Sequence, residues 1–107
     1  MENKIGLFIE GSQVSFETNP INGYLDSIVI DADNKVELII ESSLGYPILK
    51  EASFIGTRVF LPRGRISSPD AGLLDRLTFD KFLLNESLII TIIGPKKTKV
   101  EFIIRSS

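Results

Sequence analysis

Polar and apolar residues alternate along this chain in short runs, and each run is closed by residues that favour turns. Residues 13–17 alternate strictly, as a strand with one buried face does. Residues 5–9 and 55–61 are similar runs rich in aliphatic side chains, and Gly11 and Pro62 follow them. Branched side chains pack well on a pleated sheet, so these segments are predicted to be β-strands.

The first half of the chain contains two apolar runs separated by a short polar connection. Residues 24–30 and 36–40 are the apolar runs, and residues 31–35 (Asp-Ala-Asp-Asn-Lys) lie between them. Residues 19–23 come before both and combine Asn, Pro and Gly, which favour turns. The pattern predicts a turn at 19–23, followed by a β-hairpin whose tip is at 31–35.

The last twenty residues contain the most apolar run of the chain. Residues 88–93 are apolar except for Thr91, which is typical of a strand buried on both faces. Such a strand is expected at the centre of a sheet or in a subunit interface, because its exposed edge would promote aggregation. Residues 94–99 favour a turn, and residues 99–105 alternate again, so a C-terminal hairpin is predicted.

Together these runs predict one all-β domain over residues 1–107. About seven or eight short strands separated by turns are typical of an antiparallel β-sandwich or a jelly-roll-like fold. One segment departs from the strand pattern, because Leu73, Leu74 and Leu77 are spaced as on a helix and follow Pro69 and Asp70. At most one short helical turn is therefore expected near residues 70–77.

Composition narrows the possible functions more than it narrows the fold. The chain has 107 residues, of which 43% are hydrophobic and 24% charged, as in a globular domain. It contains no cysteine and no histidine, which removes the usual thiol nucleophile, proton shuttle and zinc ligands. We therefore expect a protein that is not an enzyme and that has no metal or other cofactor.

Charge and hydropathy set expectations about partners and location. The formal net charge is −2, which does not favour nucleic-acid binding. No apolar run approaches the roughly 20 residues that span a bilayer, so no membrane partner is expected. The first residues lack the basic and long apolar segments of a secretory signal, which predicts synthesis in the cytoplasm without export by a signal peptide.

The carboxylates are the remaining candidates for acid–base or metal chemistry. Asp31 and Asp33 are spaced like the start of a calcium loop, but Lys35 occupies the position of the third oxygen ligand. A second acidic group is regularly spaced but shows no sign of converging on one cleft, as a glycosidase pair must. Its members are Asp70, Asp75 and Asp80. Both groups are interpreted as polar loop residues.

Basic and aromatic residues supply the candidate interaction sites. Arginines can form paired hydrogen bonds with carboxylates of a neighbouring subunit, and apolar side chains can be completed by a partner. Residues 94–98 superficially resemble a phosphate-binding loop but lead into a strand, so the lysines there are interpreted as a polar turn. The candidate interface residues are Arg58, Arg63, Arg65, Phe79, Phe82, Lys96 and Lys97.

The order of these segments resembles a group of small virion proteins of tailed bacteriophages and prophages. The shared features are an early glycine (Gly23) before a hydrophobic strand, a strand ending in Pro62-Arg63, and a C-terminal hairpin. The similarity covers the chain from Asn19 onward. It includes residues 82–87 (Phe-Leu-Leu-Asn-Glu-Ser), which lead into the apolar strand at 88–93.

The resemblance implies a β-rich structural protein present in many copies in the virion. Capsid decoration, or cement, is the first expectation, with the major capsid protein or other virion proteins as partners and a homo-oligomer, dimer or trimer, as the assembly. It implies no catalytic residue. Two alternatives stay open: a head–tail or tail-associated component, and a carbohydrate- or ligand-binding β-sandwich. The second is disfavoured because tryptophan is absent and tyrosine is limited to Tyr24 and Tyr46.

Overall fold

The computed structural model describes residues 1–67 and 77–107, with the side chains of 64–67 and 77–80 excepted. Within these residues all regular structure is β, which confirms the predicted all-β fold. The nine strands are β1 (Glu2–Phe8), β2 (Gln13–Glu17), β3 (Ile21–Ser42), β4 (Pro47–Phe60), β5 (Gly64–Ser67), β6 (Leu77–Asp80), β7 (Leu83–Glu86), β8 (Leu88–Ile93) and β9 (Lys99–Ser106).

The 22-residue strand β3 organises one curled, antiparallel sheet of seven strands. The first four residues of β3 pair with β7, its middle pairs with β9, and its C-terminal part pairs with β8. β4 runs beside β3 from Ile28 to Glu41. β1 and β2 then flank β9 and β8, respectively. β5 and β6 form a separate two-stranded ladder.

The hairpin predicted around residues 31–35 is wrong. Residues 21–42 form one continuous strand, and the polar residues 33–35 form a bulge opposite β4, between Ala32 and Val36. A bulge accommodates extra polar residues without reversing the strand. The reversal occurs instead at residues 43–46, where Gly45 has a φ of 99° and its amide donates to the carbonyl oxygen of Ser42 (2.9 Å). The turn predicted at 19–23 is also shorter, because β3 already begins at Ile21.

The predicted C-terminal hairpin is also wrong. β8 and β9 do not pair with each other but follow one another along the same edge of β3. The strand bounds predicted for residues 88–93 are confirmed, and so is the central position, because β8 lies between β3 and β2. Only one face of β8 is buried, however. Ile89 is half-buried and Ile93 is exposed, so the expectation of two buried faces is wrong.

The sheet contains four long lines of β-structure: β1 followed by β2, β8 followed by β9, β3, and β4. All four are interrupted at the same level, which we call the bend. Residues 9–12 separate β1 from β2, residues 94–98 separate β8 from β9, and residues 33–35 form the bulge in β3. In β4, Gly56 has a φ of 86° at this level. A straight strand of 22 residues would be about 70 Å long, whereas the molecule is only 53 Å long. The sheet must therefore curl at the bend.

The inner face of the curled sheet carries one hydrophobic core that extends across the bend. Ile9 lies in the bend and is fully buried, and its amide donates to the carbonyl oxygen of Thr98 (3.0 Å). Alternate residues of β3, β8 and β9 point into this core. Its largest fully buried side chains are Phe102, Ile9, Ile21, Leu25, Ile28, Ile30, Leu38, Ile40, Leu84, Leu88, Ile90 and Ile92.

The predicted helical turn near residues 70–77 lies outside the described residues, except that Leu77 begins β6. In the part of the chain that is described, no helix has the length and hydropathy needed to cross a bilayer.

Candidate interaction surface

The outer face of the sheet carries a row of apolar side chains that runs from β9, beside β1, to the part of β4 that follows Gly56. Ile103 of β9 lies directly opposite Val29 of β3, which in turn lies opposite Val59 of β4. Leu61 follows two residues after Val59. Val59 and Leu61 are 62% and 63% exposed, so this row presents hydrocarbon to solvent. We call Ile103, Val29, Val59 and Leu61 the outer apolar row.

A shallow groove of about 380 Å³ lies at one end of the outer apolar row. It is bounded by residues of β1 and β9: Lys4, Ile5, Gly6, Glu101, Phe102 and Ile103. Gly6 lies opposite Glu101 in the ladder, and a side chain at Gly6 would meet no atom within 4 Å. The missing side chain at Gly6 therefore helps to leave a depression beside Ile103 that an apolar group can enter.

Charged side chains border the outer apolar row along β1 and β9. Along the exposed face of β9, Glu101 precedes Ile103 by two residues and Arg105 follows it by two. The guanidinium Nε of Arg105 donates to Oε1 of Glu2 at 3.2 Å, and both side chains are about half exposed. Lys4 lies opposite Ile103 and ends the row. Along the strands, the apolar centre thus has Glu101 on one side and the Arg105–Glu2 pair on the other.

A polar cluster around Asp26 ties three segments together at the end of the sheet remote from the bend. Lys81 Nζ lies 2.6 Å from Asp26 Oδ1, and the Ser107 hydroxyl donates to the same oxygen at 3.1 Å. Arg63 donates to the Asp26 carbonyl oxygen at 3.2 Å. The hydrogen bond from Lys81 is the largest cause that lowers the pKa of Asp26 below 3.8. These contacts are structural and leave the Asp26 carboxylate occupied.

A second polar contact lies where the β3–β4 turn approaches β7. The Tyr46 hydroxyl donates to Glu86 Oε1 at 2.9 Å, and its ring stacks on Phe82 with centroids 6.1 Å apart. Burial, together with the nearby Glu86 carboxylate, raises the pKa of Tyr46 above 10.0. Phe82 also packs against the core. Both aromatic residues therefore contribute to the packing of this corner rather than to an exposed aromatic platform.

The candidate residues named from the sequence do not come together in one site. Arg63 binds backbone near Asp26, whereas Lys97 donates its amide to the Ile9 carbonyl oxygen (2.7 Å) in the bend. At 3.3 Å per residue, Asp26 and the bulge of β3 are about 25 Å apart along the strand. Arg58 lies on β4 opposite Ile30, with its side chain exposed.

Of the other candidates, Lys96 is exposed at the bend beside Lys97, and Arg65 and Phe79 are brought together by the backbone. The latter two lie directly opposite each other in the ladder between β5 and β6. Their side chains are outside the described part of the structure. The candidate interface residue Phe82 is half-buried and packs against the core.

The carboxylates show local hydrogen bonding. Asp31 Oδ1 accepts from the Thr57 hydroxyl (3.0 Å), and Asp33 Oδ1 accepts from the Lys99 amide (2.9 Å). Asp33 thereby provides a hydrogen-bond acceptor for a backbone amide at the bend. Among the described residues, no three acidic side chains are grouped in a way that could hold a metal ion. Asp70, Asp75 and the side chain of Asp80 lie outside this part of the chain.

Sequence reasoning missed the outer apolar row, although a signal for it exists. Ile103 is followed by buried Ile104, and Val29 lies between buried Ile28 and Ile30. An apolar residue at the outward position of an alternating strand indicates a second surface that is not fully polar. Such a residue is common enough that only the cross-strand pairing shows that three of them adjoin.

Comparison with models of known protein families finds no match to this chain, and a search of curated proteins finds no significant relative.

Proposed function

We propose that this protein is a non-enzymatic structural component of a tailed-phage particle, and specifically a decoration, or cement, protein of the capsid. Its partners are then the major capsid protein and further copies of itself. The proposal starts from the order of segments along the chain, which resembles that of small phage virion proteins. Its location is the virion, after synthesis in the host cytoplasm.

The observation that supports a role in contact is the outer apolar row. Adjoining exposed aliphatic side chains mark a surface that another protein can cover, whereas single exposed ones are common on any protein. Val59 and Leu61 are each more than 60% exposed and adjoin Val29 and Ile103. A cement protein acts by burying such surface across the joints of an assembled shell, which it stabilises by mass action because it binds only that state.

The direct test is to fractionate phage particles produced by the organism that encodes the chain. Heads and tails are separated on density gradients, and the chain is quantified in each fraction by mass spectrometry. A decoration protein is expected in the head fraction in a copy number comparable to that of the major capsid protein. Detergent-free washing in high salt followed by re-addition of purified chain should restore its binding to heads.

The other outcomes of this experiment are equally informative. A few copies at the head–tail junction or in the tail fraction would replace decoration with a tail-associated role. Absence from all particles would overturn the virion proposal. Binding to a glycan array by a chain that is absent from particles would favour the ligand-binding β-sandwich instead.

A further inference from the structure

We infer that the outer face of β9 and its neighbours is a self-association surface, on which a second copy of this chain packs about a twofold axis through Ile103. This inference specifies the surface for the self-association included in the proposed function, and rests on it. The occupant is a second copy because the face is complementary to itself in both charge and shape.

On the exposed face of β9, the charges on the two sides of Ile103 are opposite in sign. The exposed face reads Glu101, Ile103, Arg105, which places an acid and a base about 7 Å from the central isoleucine, in opposite directions along the strand. A twofold axis in the plane of the interface and perpendicular to β9 turns the partner strand antiparallel. Glu101 of each copy then faces the partner subunit's Arg105, as an isologous contact requires.

The rest of the outer face is compatible with the same axis. The paired residues Lys4, Ile103, Val29 and Val59 form the ladder row that coincides with the axis, so each apolar member packs on its own image. Lys4 is the end member of this row and also faces its own image, at the exposed rim, where water and salt screen the repulsion between the two ammonium groups. Glu2 and Glu101 together balance Lys4 and Arg105, and exposed Asp31, opposite Glu101, adds one negative charge on each copy.

The shape of the face supports the same packing. Sheets that pack face to face are about 10 Å apart, and their side chains must interdigitate. About this axis Gly6 faces Glu2 of the partner subunit, and the groove of about 380 Å³ left open at Gly6 offers space for that side chain. Four strands and the three rows of Glu101, Ile103 and Arg105, which the axis maps onto one another, cover about 400 Å² per copy at normal sheet spacing. The total of about 800 Å² is in the range of weak, transient interfaces, so the dimer depends on concentration.

A charge-swap series measured by analytical ultracentrifugation tests this surface. All variants carry Glu2→Gln, so that the intrachain pair with Arg105 does not contribute. In that background Glu101→Arg and Arg105→Glu are each expected to weaken the dimer about tenfold or more, because like charges then face each other. The double variant with both changes restores opposite charges and should regain most of the affinity of the background.

Two further variants separate the interface from effects on folding. Ile103→Asp is expected to abolish the dimer, since it places a carboxylate on the axis. Thr91→Arg is the matched control: it lies on the outer face of the other half-sheet, opposite Ser15 and Ile39, and should leave the dimer unchanged. Circular dichroism and thermal unfolding of each variant confirm that the fold is retained.

The outcomes distinguish this surface from the broader function. A wild-type chain that stays monomeric at all concentrations overturns self-association, even if the chain is found on phage heads. A dimer whose affinity is unaffected by Ile103→Asp and by both single charge variants overturns this surface alone. A dimer with the predicted swap behaviour stands even if the chain is absent from particles.

Discussion

Asp26 shows how one exposed carboxylate can connect distant parts of a chain. It accepts hydrogen bonds from Lys81 and Ser107, and its carbonyl oxygen accepts from Arg63. The partners come from three segments, so the cluster fixes the end of the sheet where β3 begins and where β4 and β9 end. Both charged side chains are partly exposed, which means that water and salt screen the pair.

The lowered pKa of Asp26 predicts a specific dependence of stability on pH. A carboxylate whose pKa is lower in the folded than in the unfolded state stabilises the fold at any pH above its pKa in the unfolded state. That contribution is fully present at neutral pH and is lost as pH falls below 3.8, through the lower folded value. Denaturant unfolding over a range of acidic pH should show a shallower loss of stability for Asp26→Asn than for wild type.

Lys81→Met provides the companion measurement, because it removes the largest cause of the lowered pKa and leaves the carboxylate in place. It should reduce the acid dependence in the same direction. An unchanged acid dependence in both variants would contradict the assigned role of the pair.

Among the glycines whose surroundings the structure describes, Gly23 is the one at which glycine is most strictly required. Its φ is 119°, and a Cβ there would collide with the backbone carbonyl oxygen of Ser107, which accepts from the Tyr24 amide at 2.7 Å. We predict that Gly23→Ala lowers the free energy of unfolding by about 2 kcal/mol or more, from strain and the lost hydrogen bonds. Urea unfolding measures it.

Gly11→Ala is the control for that substitution, since a Cβ at Gly11 meets no atom within 4 Å. Its effect should stay within about 0.5 kcal/mol. Equal effects of the two substitutions would contradict the role assigned to the contact with Ser107.

At the scale of the elements, β8 has one buried face and one partly exposed face, although both faces carry isoleucine. Ile90 points inward and is fully buried, whereas Ile89 points outward and is only half-buried, between Glu17 and Glu41 of the flanking strands. Neighbouring residues of identical chemistry therefore isolate the effect of burial from that of strand propensity.

We predict that Ile90→Ala lowers the free energy of unfolding by about 2–5 kcal/mol, because it removes buried hydrocarbon and leaves a cavity. Ile89→Ala should cost less than about 1 kcal/mol. Chemical denaturation of both variants measures the difference. Similar costs would mean that the outer face of β8 is covered as completely as the inner face, for example by a partner.

At the scale of the whole molecule, one core extends across the bend and joins both halves of the sheet. Ile9 and Val36 lie at the bend and belong to the same buried cluster as Ile90 on one side and Phe102 on the other. Gly94 allows this close packing, since a Cβ there would lie 2.9 Å from Val36 Cγ1. The two halves therefore cannot bury their apolar surface independently.

This continuity predicts a single cooperative unfolding transition. Far-ultraviolet circular dichroism and tyrosine fluorescence should give coincident denaturation curves, because both halves lose their core together. Ile90→Ala and Phe102→Ala lie on opposite sides of the bend, and each should shift both curves equally. Separate transitions in either variant would mean that the bend divides the molecule into two units.

The sequence by itself determined the all-β class and the bounds of the most regular strands. Residues 13–17 and 88–93 were predicted with the bounds that the structure gives, because alternation and continuous apolarity are local properties. It also indicated that β8 lies centrally, since an apolar strand must be covered. The same two-residue alternation indicated which side chains of β3 and β9 are buried.

Only the tertiary structure decided where the chain reverses. Residues 31–35 and 94–99 have the composition of hairpin turns, yet they form a bulge and a bend within long antiparallel paths. A cluster of polar residues indicates that the strand is interrupted. Whether the chain then turns back or continues depends on which strands pair with the segments before and after the cluster. The outer apolar row was decided in the same way, because Ile103, Val29 and Val59 adjoin only through the pairing of three distant strands.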